Sequence, residues 1–138
     1  MLAGLILAAN LAAAAAAQKP LAVPDGFTFA AGGDMIGPYH PLPGLKDSGQ
    51  ARITALFQGA DVAFANQEGS IFDIKSFRGT PAAENGGGYP LQPPGFARDI
   101  KAMGIGMVSK ANNHATDWGT EGLAASLGWL AAAGVVQA

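Results

Sequence analysis

Residues 105–119 read IGMVSKANNHATDWG, from Ile105 to Gly119. An apolar run of buried-strand type, Ile105 to Val108, passes directly into a polar stretch. Two amides, an imidazole and a carboxylate fall there within six residues, from Asn112 to Asp117. Beyond it, Thr120 is placed to cap a helix whose apolar positions Leu123, Leu127 and Leu130 recur at helical spacing, closed by Gly134. Strand, polar turn and amphipathic helix in this order are the repeating unit of a parallel sheet covered by helices.

The same unit recurs upstream. Phe27 to Ala31 alternates in size and ends at Gly32-Gly33, which predicts a strand and its stop. Gly49 to Phe57 carries Ile53, Leu56 and Phe57 at helical spacing, with Asp47 or Ser48 as N-cap. Val62 to Ala65 is a short apolar strand, and residues 80–94 have no period and three consecutive glycines, so they predict a loop. Pro94 suits the first turn of a helix running to Met103 and stopping at Gly104. Gly134-Val135-Val136 reads as the opening of a fourth strand. The expected fold class is α/β, a partial sheet in βαβαβα order with helices packed on it. It is read as truncated after the third strand–helix unit, a fragment of a larger domain.

Composition narrows the chemistry. The 138 residues are 49% hydrophobic and 13% charged, with a formal net charge of -2, which excludes a disordered chain and leaves no basic footprint for nucleic acid. With no cysteine, any metal must be held by oxygen and imidazole nitrogen, a donor set that suits Mn, Zn, Fe or Mg. Residues 1–17 carry no charged side chain, and Ala15 and Ala17 fit an A-x-A cleavage pattern. They are read as a signal peptide, against the alternative of an alanine-rich helix, with residues 18–26 as a linker and 27–138 as the domain. The protein is therefore expected to be exported, to the periplasm or outside the cell.

The polar residues that matter follow the predicted strands. Asp34 follows the first, Asn66 and Glu68 the second, and Asn112, Asn113 and His114 the third. In a parallel sheet these are the carboxyl ends, where open α/β sheets form their ligand crevice. The residues themselves leave two readings open, a metal or anion site and a structural polar edge. Among the remaining candidates, His40 lies in a proline-framed loop and Gly86-Gly87-Gly88 lacks the Lys-Ser/Thr of a phosphate loop. Trp118 is a candidate ligand contact and Trp129 a candidate core or interface residue. Lys110 is placed to pair with phosphate or to form a salt bridge at the sheet edge, and Ser126 to pack.

GGDMIG, NQEGSI and ANNHATDWGTEGL together resemble the bacterial capsule-synthesis CapA family, also called the poly-γ-glutamate biosynthesis family, within the calcineurin-like metallophosphoesterases. The blocks G-D-x-M, N-x-E and A-N-N-H-x-x-D-x-G-x-x-G-L occur in order, with Gln67 where the family usually has leucine. The resemblance implies one or two divalent metal ions on Asp34, Glu68 and Asn113, and His114 as the catalytic histidine beside the scissile phosphate. Asn66, Asn112 and Trp118 are the expected substrate contacts, while Asp117 and Gly119 are expected to shape the turn. It further implies a hydrolase acting on an extracellular anionic polymer or phosphorylated substrate, associated with the cell envelope and with membrane-bound capsule synthase subunits. The alternative is a non-catalytic polymer-handling or ion-binding subunit. Because the family's later histidine segments are not in this chain, weak metal affinity and little or no turnover are expected of it alone.

Overall fold

The computed structural model describes residues 22–37, 48–81 and 90–138. The predicted signal peptide, His40, Asp47 and the triple glycine lie outside the described residues. The element order is β1 (Phe29–Asp34), α1 (Ser48–Gln58), β2 (Val62–Asn66), β3 (Ser70–Ile71), β4 (Leu91–Gln92), α2 (Gly95–Ala102), β5 (Met107–Ser109), α3 (Gly119–Ala132) and β6 (Val136–Gln137). Four strands form one parallel sheet in the order β1-β2-β5-β6, and β3 and β4 form a small second sheet, also parallel. The α/β class expected from the alternation of strands and helices is the observed one.

Strand periodicity sorts the main sheet into two faces. Ala63, Ala65 and Val108 point to the helix-covered side, where Ala65 and Val108 join Ile71, Phe96, Ile100, Ile105 and Leu130 in the core. Their neighbours Phe64, Met107 and Val136 are in register with one another on the other side. That side is open: Val136 is 61% exposed, and Phe29, which stacks on Phe64 with ring centroids 6.2 Å apart, is 56% exposed. The register of β1 on β2 is pinned at its start by Thr28 and Asp61. Thr28 donates through its amide and its hydroxyl to Asp61 Oδ2, both at 2.8 Å, and these bonds lower the Asp61 carboxyl below its ordinary range.

Four local expectations change. Gly32-Gly33 does not stop β1; the strand continues to Asp34 through a register shift between Ala31 and Asp34, a bulge that glycine accommodates readily. Ile53 and Leu56 do not face the core, at 51% and 71% exposed; α1 turns Thr54 and Phe57 inward instead. The stretch read as an uninterrupted loop contains β4, which pairs in parallel with β3 through Ser70–Leu91 and Ile71–Gln92. Thr120 does not cap α3: Trp118 holds the N-cap position without a side-chain bond, and Thr120 Oγ1 instead meets Glu121 at 3.3 Å. The stop at Gly104 is as read, with φ of +99°, and a side chain there would meet the Gln58 backbone nitrogen at 2.7 Å.

Ser126 does more than pack. Its buried hydroxyl accepts the Ile71 amide at 2.8 Å and donates to the Gly122 carbonyl at 2.7 Å, tying α3 to β3. Replacing it with alanine leaves a buried backbone donor without its acceptor. Ser126→Ala is expected to lower unfolding free energy by about 1–3 kcal/mol in urea titration; an unchanged midpoint would remove this tie from the account.

Candidate functional site

Parallel pairing brings the carboxyl ends of β1, β2 and β5 to one edge, with Asp34 opposite Asn66 and Asn66 opposite Ser109. Two polar chains are built there. In the first, Asn66 Nδ2 donates to Asp34 Oδ1 at 2.8 Å, and Asn112 Nδ2 donates to Asn66 Oδ1 at 3.0 Å. Asn112 also donates to the Gln67 carbonyl at 3.1 Å and accepts the His114 amide at 3.1 Å, the side-chain-to-backbone bond that starts the turn. Both asparagines predicted to contact substrate therefore orient Asp34 and the turn.

The second chain runs through His114. Asp117, fully buried, places Oδ2 2.6 Å from Nδ1, and Glu68 Oε1 lies 3.3 Å from Nε2. A carboxylate on one ring nitrogen fixes the imidazole's orientation and favours the proton on that nitrogen, so that Nε2 is the face presented to Glu68. The sequence alone makes Asp117 a turn residue. Its spacing of three residues from His114 inside a turn is the available signal for a side-chain partner.

Glu68 is the electrostatic centre. Burial raises its carboxyl above the ordinary value, the nearby Asp34 carboxylate and a hydrogen bond shared with it raise it further, and His114 and Lys110 pull it back down. Lys110 itself is pushed down to about 8 by burial, against the opposing pull of Asp117 and Glu68. It is 4% exposed and bonded to backbone carbonyls rather than presented to an anion. Asn113 is exposed at the same edge. Trp118 packs its ring edge-on against Phe72 at 5.3 Å and Phe77 at 5.9 Å, which anchors the turn into α3. An apolar groove of about 760 Å³ lies elsewhere, between β1 and α1 and lined by Phe29, Met35, Ile53 and Leu56. It holds none of these polar residues.

For a divalent cation the donor chemistry fits and the cage is partial. Asp34 and Glu68 offer two carboxyls in mutual contact, a pairing that a cation relieves. Among the described residues, no three or more His, Asp or Glu side chains gather into a complete ion cage.

Residues 28–138 match the family described as bacterial capsule synthesis protein PGA_cap. The chain belongs to that family. The metallophosphoesterase relationship implied by its motifs agrees with this family and with the parallel α/β sheet. Two relatives from Sinorhizobium fredii (strain NBRC 101917 / NGR234), "Uncharacterized protein y4sH" and "Uncharacterized protein y4uA", are each 44% identical to it over 116 residues. That alignment takes in 84% of this chain and 25% of each relative, so the chain spans about a quarter of their length. No helix among the described residues is long and apolar enough to cross a membrane.

The raised Glu68 carboxyl predicts a pH signature. A group whose folded value lies above its unfolded value holds a proton in the fold that the unfolded chain has released. Its contribution to stability is therefore present at low pH and is lost as pH rises through the folded value. Glu68→Gln, which mimics the protonated form, is expected to gain stability over wild type as pH rises from about 4 to about 7 in urea unfolding. A difference independent of pH would contradict a desolvated Glu68 beside Asp34.

Proposed function

We propose that this corner is a divalent-cation site for hydrolysis of phosphate esters or related bonds, within a longer, exported capsule-synthesis protein acting on an anionic polymer or its phosphorylated precursor. The observation that carries the reading is the Asp34–Glu68 carboxyl pair, one at the end of β1 and the other just past β2, with His114 Nε2 3.3 Å from Glu68. Asp34 and Glu68 would hold the ion, with the Asn113 amide as a third donor. Manganese, zinc, iron and magnesium all suit oxygen-rich donors. When bound, such an ion supplies Lewis acidity toward a phosphoryl oxygen.

The chain's own residues do the rest. Asn66 and Asn112 hold the Asp34 carboxylate in place. Asp117 fixes the His114 ring through Nδ1, and when the ring carries a second proton Nε2 would donate it to a leaving oxygen or donate a hydrogen bond to an anionic one. The packing of Trp118 on Phe72 and Phe77 supports a structural rather than a substrate-contacting role. Export is supported by the apolar, A-x-A-ending character of residues 1–17 and by the family's part in capsule synthesis. Membrane-bound synthase subunits are the partners such a role requires.

In the longer protein that carries this segment, His114→Ala is expected to lower manganese-stimulated release of nitrophenol from nitrophenyl phosphate on the order of 10²-fold or more. Asp34→Asn should abolish the manganese dependence. Equal, metal-stimulated rates in wild type and both variants would contradict the site. Manganese binding that Asp34→Asn abolishes, without turnover by the longer protein, would instead support an ion-binding subunit.

A further inference from the structure

Lys110 directly follows β5 and is almost fully buried. A buried ammonium must be compensated. Its bonding partners here are backbone carbonyls: Nζ donates to Gly69 O and, at 3.4 Å, to Gln67 O. Those two carbonyls flank Glu68. The Gln67 carbonyl also accepts from Asn112 at 3.1 Å. The carbonyl of Glu68 itself accepts from the side-chain amides of Gln67 and Gln92, each at 3.0 Å, and the two glutamines are joined to each other at 3.1 Å. Three successive carbonyls between β2 and β3 are thus each held by side chains. At Gly69, φ is +83° and a side chain would come within 2.7 Å of Pro90, so the turn is also closely packed.

This arrangement is unusual for a short connection, whose carbonyls ordinarily turn to water. It carries an electrostatic penalty as well, because a positive charge behind a cation site opposes cation binding. A residue tolerated there against that penalty has another role.

We infer that Lys110 is a positioning residue: by gripping the carbonyls on either side of Glu68, it holds that carboxyl against Asp34 and His114. The consequence for metal rests on the cation-site reading above, whereas the grip on the loop does not. The burial that lowers the Lys110 ammonium to about 8 agrees with a structural donor rather than a surface charge.

Charge and positioning act with opposite signs, which makes the inference testable. Lys110→Met removes both the charge and the donor. If Lys110 acted only through its charge, manganese would bind the variant more tightly. If it positions Glu68, manganese should bind on the order of 10-fold to 100-fold more weakly, the scale of supporting residues around metal sites. Manganese titration followed by electron paramagnetic resonance reads this in the longer protein that carries this segment. Amide hydrogen exchange without metal is the second readout: exchange at Glu68, Gly69 and Ser70 should accelerate in the variant while α3 is unchanged. Tighter or equal manganese binding with unchanged exchange overturns the inference. Should wild type bind no manganese, the cation reading fails and exchange alone still decides the positioning claim. If Lys110→Met does not fold, Lys110→Gln, neutral and polar, is expected to shift both readouts in the same direction. Wild-type behaviour of Lys110→Gln would overturn the inference equally.

Discussion

Two carboxyl groups, Asp34 and Glu68, are held against each other at a partly desolvated sheet edge, and that arrangement is unfavourable unless a proton or a cation lies between them. Much of the polar structure in this domain serves to maintain it. The bulge in β1 carries Asp34 to a position opposite Asn66, and Asn66 and Asn112 hold its oxygen. On the other side, the carbonyls around Glu68 are held by Lys110, Asn112, Gln67 and Gln92, and its carboxyl faces a histidine fixed by Asp117. The arrangement agrees with the cation site proposed above.

The sheet explains why this corner exists. Parallel strands end on a common edge, and the order β1-β2-β5 places the three polar sets side by side without further chain reversal. The helix-covered face supplies the core, and α3 is tied back to the small second sheet by Ser126. The opposite face, with Phe29, Phe64, Met107 and Val136, is apolar and open. Parallel sheets are ordinarily covered on both faces. The chain spans about a quarter of its relatives' length.

Much of this is legible in the sequence because its signals are local. Apolar runs beside helical periodicity point to the α/β class, and the positions of Asp34, Glu68 and His114 after successive strands put them on one edge. What stays hidden depends on contacts between distant segments. Gly32-Gly33 reads equally as a strand stop or a bulge until β2 is there to pair with Asp34. Ile53 and Leu56 share helical spacing with Phe57, and only the packing of α1 on β2 selects Thr54 and Phe57 as its inner side. Lys110 reads as a surface cation because nothing local shows that the Gln67 and Gly69 carbonyls close over it. Gln67 and Gln92 lie 25 residues apart, and their joint hold on Glu68 has no sequence signature.

The most direct test is crystallographic. Crystals grown with manganese and measured at its absorption edge are predicted to show an anomalous peak between the carboxylates of Asp34 and Glu68, lost in Asp34→Asn. An ordered Asp34–Glu68 pair with no peak between them, in crystals that carry manganese elsewhere, would contradict the account.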